Sequence, residues 1–154
     1  MSNASSFTVT VADWATWGTK LAHVRETVFV GEQGVPAALE ADGLDGDSAR
    51  CIHAVALDAD QNVIGTARLL LDKPLPRIGR MAVLKKHRRT GVGAALLELL
   101  CEEAARRGNA RVTLHAQTHA SGFYYHHGFL SYEAEFFEAG IPHQEMRREL
   151  RPGT

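Results

Sequence analysis

The chain predicts an α+β fold: a mixed, mostly antiparallel central sheet flanked by helices, in the order β-α-β-β-β-α-β-α-β-β. Three features lead there. The runs "CIHAVALD" and "VIGTARLLL" are strand-like and joined by Asp-Ala-Asp-Gln-Asn, a strong hairpin signal. Pro74 and Pro76 then break the chain before a further strand, "RIGRMAVL". A leucine-rich helix crosses from it to "ARVTLHA". Antiparallel hairpins followed by one helical crossover indicate an α+β sheet rather than a doubly wound parallel one.

In chain order, Phe7 to Val11 alternates as a strand, and Asp13 is positioned to cap the next helix. Leu21, Val24, Val28 and Phe29 recur at helical spacing between Thr19 and Val30, and Gly31 and Gly34 end the pattern. Residues 31–50 are acidic and rich in Gly and Asp, so a long loop is expected; long loops in small domains are often functional. The crossover helix carries Leu96, Leu97, Leu100, Cys101 and Ala104 inward. Its outward face holds Glu98, Glu102, Glu103, Arg106 and Arg107, with Glu102/Arg106 and Glu103/Arg107 in the favourable i,i+4 order. Gly108-Asn109 caps it. Ala120 to His127 reads as a short helix, and "FLSYEA" and "HQEMRREL" as closing strands. There is no repeat and no sign of a second domain, so one domain over residues 1–154 is expected.

Composition narrows the function classes. A net charge of -1 does not suit a molecule that coats nucleic acid, so any anion binding must be local. No apolar run approaches the ~20 residues of a membrane span. The start, "MSNASSFTVTVADW", lacks the basic and apolar regions of a secretory leader, so cytoplasmic residence is expected. Cys51 and Cys101 lie in apolar stretches and read as buried reduced thiols. Eight histidines invite a metal reading. However, the strand-to-helix change separates His115 from His119, and adjacent His126 and His127 diverge, so no metal is expected.

"KKHRRTGVGAALLELL", from Lys85 to Leu100, is a basic, glycine-bearing loop at the front of a helix. Unpaired N–H groups and a partial positive charge at a helix N-terminus favour anions. Gly91 and Gly93 let a phosphate approach the backbone without meeting a Cβ. A P-loop would need Lys-Ser/Thr after its last glycine, and a dinucleotide fingerprint a third glycine where Leu96 stands, so both readings fail. A DNA-binding reading fails because the adjoining helix face is half acidic.

"MAVLKKHRRTGVGAALLELLCEEA" resembles motif A of the GNAT N-acetyltransferase superfamily, whose Arg/Gln-x-x-Gly-x-Gly/Ala signature is here Arg88-Arg89-Thr90-Gly91-Val92-Gly93. "QTHASGFYYHHGF" is similar to the family's Asn-x-x-Ala-x-x-Phe/Leu-Tyr-x-x-x-Gly-Phe segment, with Ala120, Phe123, Tyr124, Gly128 and Phe129 in register and Gln117 in place of the usual Asn. The resemblance implies acetyl-CoA as cosubstrate and N-acetylation of a small-molecule amine, without metal. It places the pyrophosphate on the amides from Arg89 to Ala94, with Arg88 and Arg89 adding charge. It places the pantetheine arm along Met81, Ala82 and Val83 and near Gln117. Homodimers occur in the family; nucleic-acid and membrane partners are not implied.

By the same resemblance Tyr124 is the general acid for the departing thiolate. The base is harder to place. Glu32, Glu40, Asp42 and Asp45 lie in the acidic stretch, Glu32 being the first choice, and an acidic lip would attract a cationic amine. A solvated acidic loop explains them equally. Arg25, Val28, Phe29, Glu32, Asp42 and Asp45 also match an early segment of acyl-homoserine lactone synthases, so transfer of a longer acyl group is an alternative, as is a non-catalytic CoA-binding module. "FFEAGIPHQEM" resembles the end of a set of small bacterial members, and its His143 could orient or deprotonate the acceptor or simply begin an edge strand.

Overall fold

The computed structural model describes residues 6–151. Strand β1 (Phe7–Ala12) leads to α1 (Trp14–Arg25), capped by the Asp13 carboxylate accepting from Thr16 N–H at 2.9 Å. The helix continues without a break as a wider π turn (Glu26–Glu32), and a one-turn α2 (Ala37–Glu40) comes next. The expected long loop is thus partly helical at both ends of its first half. Strands β2 (Cys51–Asp58), β3 (Val63–Leu70) and β4 (Arg77–Val83) form successive antiparallel hairpins. Helix α3 (Val92–Arg106) crosses to β5 (Arg111–Gln117), which is parallel to β4. Then come α4 (Ser121–His126), β6 (Leu130–Ser131), β7 (Phe136–Glu138) and β8 (Ile141–Glu149). The sheet order is β1-β2-β3-β4-β5-β8-β6, with β7 also on β8.

Alternation along β2 sorts the two faces. Ile52, Ala54 and Ala56 join the α3 side, with Leu96, Leu97 and Leu100, while Val55 and Leu57 pack with Leu21 of α1. Gly65 lets α3 lie close to β3: a Cβ there would stand 3.1 Å from Val92 Cγ1 and 3.3 Å from the Ala82 carbonyl.

Strand β4 breaks the alternation. Ile78 packs on the α3 side, yet Ala82, four residues on, packs with Val24 and Val28 on the α1 side. The register explains this: Arg68 pairs with Gly79 and Thr66 with Ala82, so Arg80 and Met81 together oppose Ala67. One residue is extra, and Arg80 absorbs it at φ 50. Beyond this bulge β4 leaves β5. The two pair only at Arg77↔Thr113 and Ile78↔Leu114, and from Gly79 and His115 onward a gap opens between them.

Four expectations are corrected. Glu103 is buried, not outward, and Arg106 pairs with it one turn back rather than with Glu102. The strand expected over "FLSYEA" shrinks to Leu130–Ser131. A strand not expected, β7, turns into β8 through Ala139 and Gly140, both at positive φ. Finally, β8 is no edge: it lies between β5 and the β6/β7 pair, which is why His143 is buried.

Candidate functional site

The basic loop folds as a short 3-10 turn (Lys85–His87) ahead of α3. Gly91, at φ 94, is the N-cap of α3 with no side chain to cap it, and the first N–H bonded back into the helix is that of Ala95, to the Gly91 carbonyl at 3.0 Å. The N–H groups of Val92, Gly93 and Ala94 therefore lie on the open first turn. Gly93 sits under Phe123, Met81 and Val83, whose nearest atoms would stand 3.7–3.9 Å from an added Cβ. Thr90 donates its hydroxyl to the His87 carbonyl at 2.6 Å and fixes the turn, while Arg89, at φ 64, has no ion-pair partner among the described residues.

Arg88 is engaged. Its Nε donates to the Val83 carbonyl at 2.9 Å and its Nη2 to Glu32 at 2.8 Å. Glu32, the first choice for the base, thus serves as a counter-charge to Arg88 and lines neither of the two cavities at the site. Along β4, Leu84 N–H bonds the Ile64 carbonyl, so by alternation Ala82 also faces β3 and Val83 directs its backbone into the gap.

The two cavities meet at the gap. One, about 320 Å³, runs from Arg88 past Gly79, Met81 and Ala120 to Tyr124. The other, about 420 Å³, lies among α2, the β3–β4 hairpin and the β7–β8 turn. His115, Gln117, Gly79 and Arg80 belong to both walls. Tyr124 reaches the first with its hydroxyl 4.0 Å from Met81 Sδ, a weak acceptor, and burial pushes its phenol up to about 12. Gln117, the substituted position, exchanges amide hydrogen bonds with Gln33, the shorter at 2.8 Å.

His143 lines the second cavity, its Nδ1 donating to the Ile141 carbonyl at 2.7 Å, which leaves Nε2 as the lone-pair nitrogen. The same face of the sheet carries His115, on β5, which the sequence weighs only as a metal ligand. Its Nδ1 lies 3.0 Å from Glu138 on β7, and its ring meets Phe136 edge-on at 5.0 Å. The His115 hydrogen bond is the main cause holding the Glu138 carboxyl low. Only spacing across the unexpected strand β7 could have paired these two.

The expected acidic lip is a neutral lattice. Arg25, almost fully buried, donates to Glu40 at 2.6 and 2.8 Å and to Asp45 at 2.8 Å. Arg68 grips both oxygens of Asp42 and reaches Asp45 at 2.9 Å, and Arg80 holds Glu40 at 3.0 Å. Three carboxylates face three guanidiniums, each carboxylate bridging two. Burial alone would raise Asp42 and Asp45, but hydrogen bonds and charge from the arginines outweigh it and hold both low. Asp45, Cys51 and His53 bring ligand-type atoms within 4.8 Å of one another, yet the Asp45 carboxylate is already spanned by Arg25 and Arg68, and burial pushes the Cys51 thiol up to about 11. No helix among the described residues is long and apolar enough to cross a membrane.

Comparison with known proteins agrees with this architecture. Residues 23–150 match the family model described as an acetyltransferase (GNAT) domain. The uncharacterized N-acetyltransferase YjcF of Bacillus subtilis is 41% identical over 128 residues, which is 82% of this chain and 89% of that protein. An acyl-CoA N-acyltransferase from Pseudomonas aeruginosa superposes with a TM-score of 0.81 at 31% identity, over 93% of this chain and 99% of that one. The PaiA N-acetyltransferase of Thermoplasma acidophilum, solved in complex with coenzyme A, shares the fold at 14% identity and a TM-score of 0.70, over 94% of this chain and 99% of that one. The two motifs, the strand gap and these relatives converge: the chain belongs to the GNAT acetyltransferase family.

Proposed function

We propose that the protein is an acetyl-CoA-dependent N-acetyltransferase acting on the primary amine of a small molecule. The observation that carries the reading is one continuous path. Its parts are the open first turn of α3, where Gly93 lies near Met81, Val83 and Phe123, and then the cavity along the β4 edge. At its end stands the Tyr124 hydroxyl, whose hydrogen-bond partner among the described residues is the Met81 thioether. Val92, Gly93 and Ala94 offer backbone N–H groups to the pyrophosphate, with Arg89 free to add charge and Arg88 braced by Glu32. The relation in fold to a protein solved with coenzyme A supports the same assignment.

The reaction forms a bond from the amine nitrogen to the acetyl carbon and breaks the carbon–sulfur bond. Two protons must move. Tyr124 gives its phenolic proton to the departing sulfur. His115, at the junction of the two cavities with Nδ1–H directed at Glu138, takes the amine proton on Nε2. His143 shapes the acceptor side.

The test is thiol release from acetyl-CoA against a panel of primary amines, with coenzyme binding measured separately. Turnover with at least one amine is expected. Coenzyme binding with no turnover would favour a non-catalytic module, and clear preference for octanoyl-CoA a longer-chain acyltransferase. Gly91→Glu puts bulk and negative charge on the α3 N-cap and should abolish coenzyme binding; retained affinity would remove the pyrophosphate from this turn.

A further inference from the structure

The acceptor cavity has an unbalanced charge. Its carboxylates have partners: Glu40 and Asp42 are bridged by arginines, and Glu138 is hydrogen-bonded to His115 and feels the Arg77 charge only at longer range. Two cations in its wall stand differently. Arg77 and Lys73 make no ion pair among the described residues, and Asp72, next to Lys73, turns instead to Arg50 at 3.4 Å. The Arg77 Nε is sealed from solvent with no acceptor, as is that of Arg68 in the same wall. Arg68 is already bridged to two carboxylates, whereas the partly buried Arg77 guanidinium has no ion pair among the described residues, and an anion in the cavity would balance it.

Register places this charge relative to the chemistry. Arg77 pairs with Thr113, two residues before His115 on β5, so Arg77, Thr113 and His115 share the face that carries the cavity. Arg77 therefore stands at the closed end of the strand gap, about 7 Å of strand from the proposed base. Between and around them the wall is apolar, with Leu39, Leu44, Leu70 and Ile141.

Resting on the acyl-transfer reading above, we infer that the acceptor is an amino acid with an apolar side chain, its carboxylate held by Arg77 and Lys73 while its amine faces His115. A diamine is disfavoured by the same geometry, because its second cation would meet these two.

Calorimetric titration tests this with N-acetyl-leucine, the product such an acceptor would give, and N-acetyl-leucinamide, which lacks only the charge. Both are titrated into the full chain with and without coenzyme A. The carboxylate should bind at least ~10-fold more tightly than the amide, as charge-assisted hydrogen bonds imply. The Arg77→Gln/Lys73→Gln double variant should erase that preference, with coenzyme affinity and thermal midpoint little changed. Equal binding of the two probes, or a preference that survives the double variant, would overturn the inference. Since the probes need no turnover, a chain that shows this preference but never releases thiol sinks the transfer reading alone. A chain that acetylates amines without the preference sinks only the carboxylate site.

Discussion

Burial acts on Tyr124 and on the two cysteines in the same direction, raising the phenol to about 12, Cys51 to about 11 and Cys101 to about 12. In the proposed reaction a coenzyme thiol beside Tyr124 would enter the same poorly solvated surroundings, which would raise its pKa too and keep the proton transfer closer to balanced than the phenol value alone suggests. Tyr124→Phe removes the proton but keeps the ring, which packs edge-on to Phe123 and Phe129 at 5.0 and 6.1 Å. We expect kcat to fall about 10²-fold or more with coenzyme affinity little changed, and His115→Ala to fall comparably; steady-state kinetics with independent coenzyme titration decides both. Unchanged turnover in either variant would remove that residue from the mechanism. Tyr124 was legible because it sits inside a motif. His115 was not, because along β5 it is one polar residue in an ordinary alternation, and only the fold brings Glu138 to it.

Among elements, the segment from α1 to β2 departs furthest from a sequence reading. Its acidic residues look like a solvated loop because their partners are remote: Arg68 lies on β3 and Arg80 on β4. Charge counted along the chain cannot show that these carboxylates are neutralised across the fold. Strand β7 was hidden for a local reason, since Ala139 occupies a left-handed turn position at φ 53 where Asn, Asp or Gly would have signalled a hairpin. Arg25→Met leaves Glu40 and Asp45 each with one guanidinium instead of two in a nearly dry site. The expected loss is about 3 kcal/mol, the lower end for a broken buried pair, read from the urea midpoint. A shift indistinguishable from zero would mean that Arg68 and Arg80 suffice.

For the molecule as a whole, the same lattice sets a response to acid. Asp42 and Asp45 have carboxyls lowered on folding, so the unfolded chain takes up their protons first, at about pH 4, and unfolding free energy falls as pH drops through that window. Urea midpoints should decline as pH falls below about pH 4, and Asp42→Asn should flatten that decline. An unchanged slope would place the acid sensitivity elsewhere. The fold class and the strand order through β5 were legible, and the turn proposed for the coenzyme could be named, because hairpins, a capped helix and a glycine turn are local. The acceptor half was not, because it is assembled from four separate stretches of chain. Strand β8 has one more consequence. It pairs with β5, β6 and β7, all of which precede it in the chain. During synthesis these three strands must wait with open edges until β8 emerges and slots between them, which makes that interval the moment of greatest exposure to pairing with other chains.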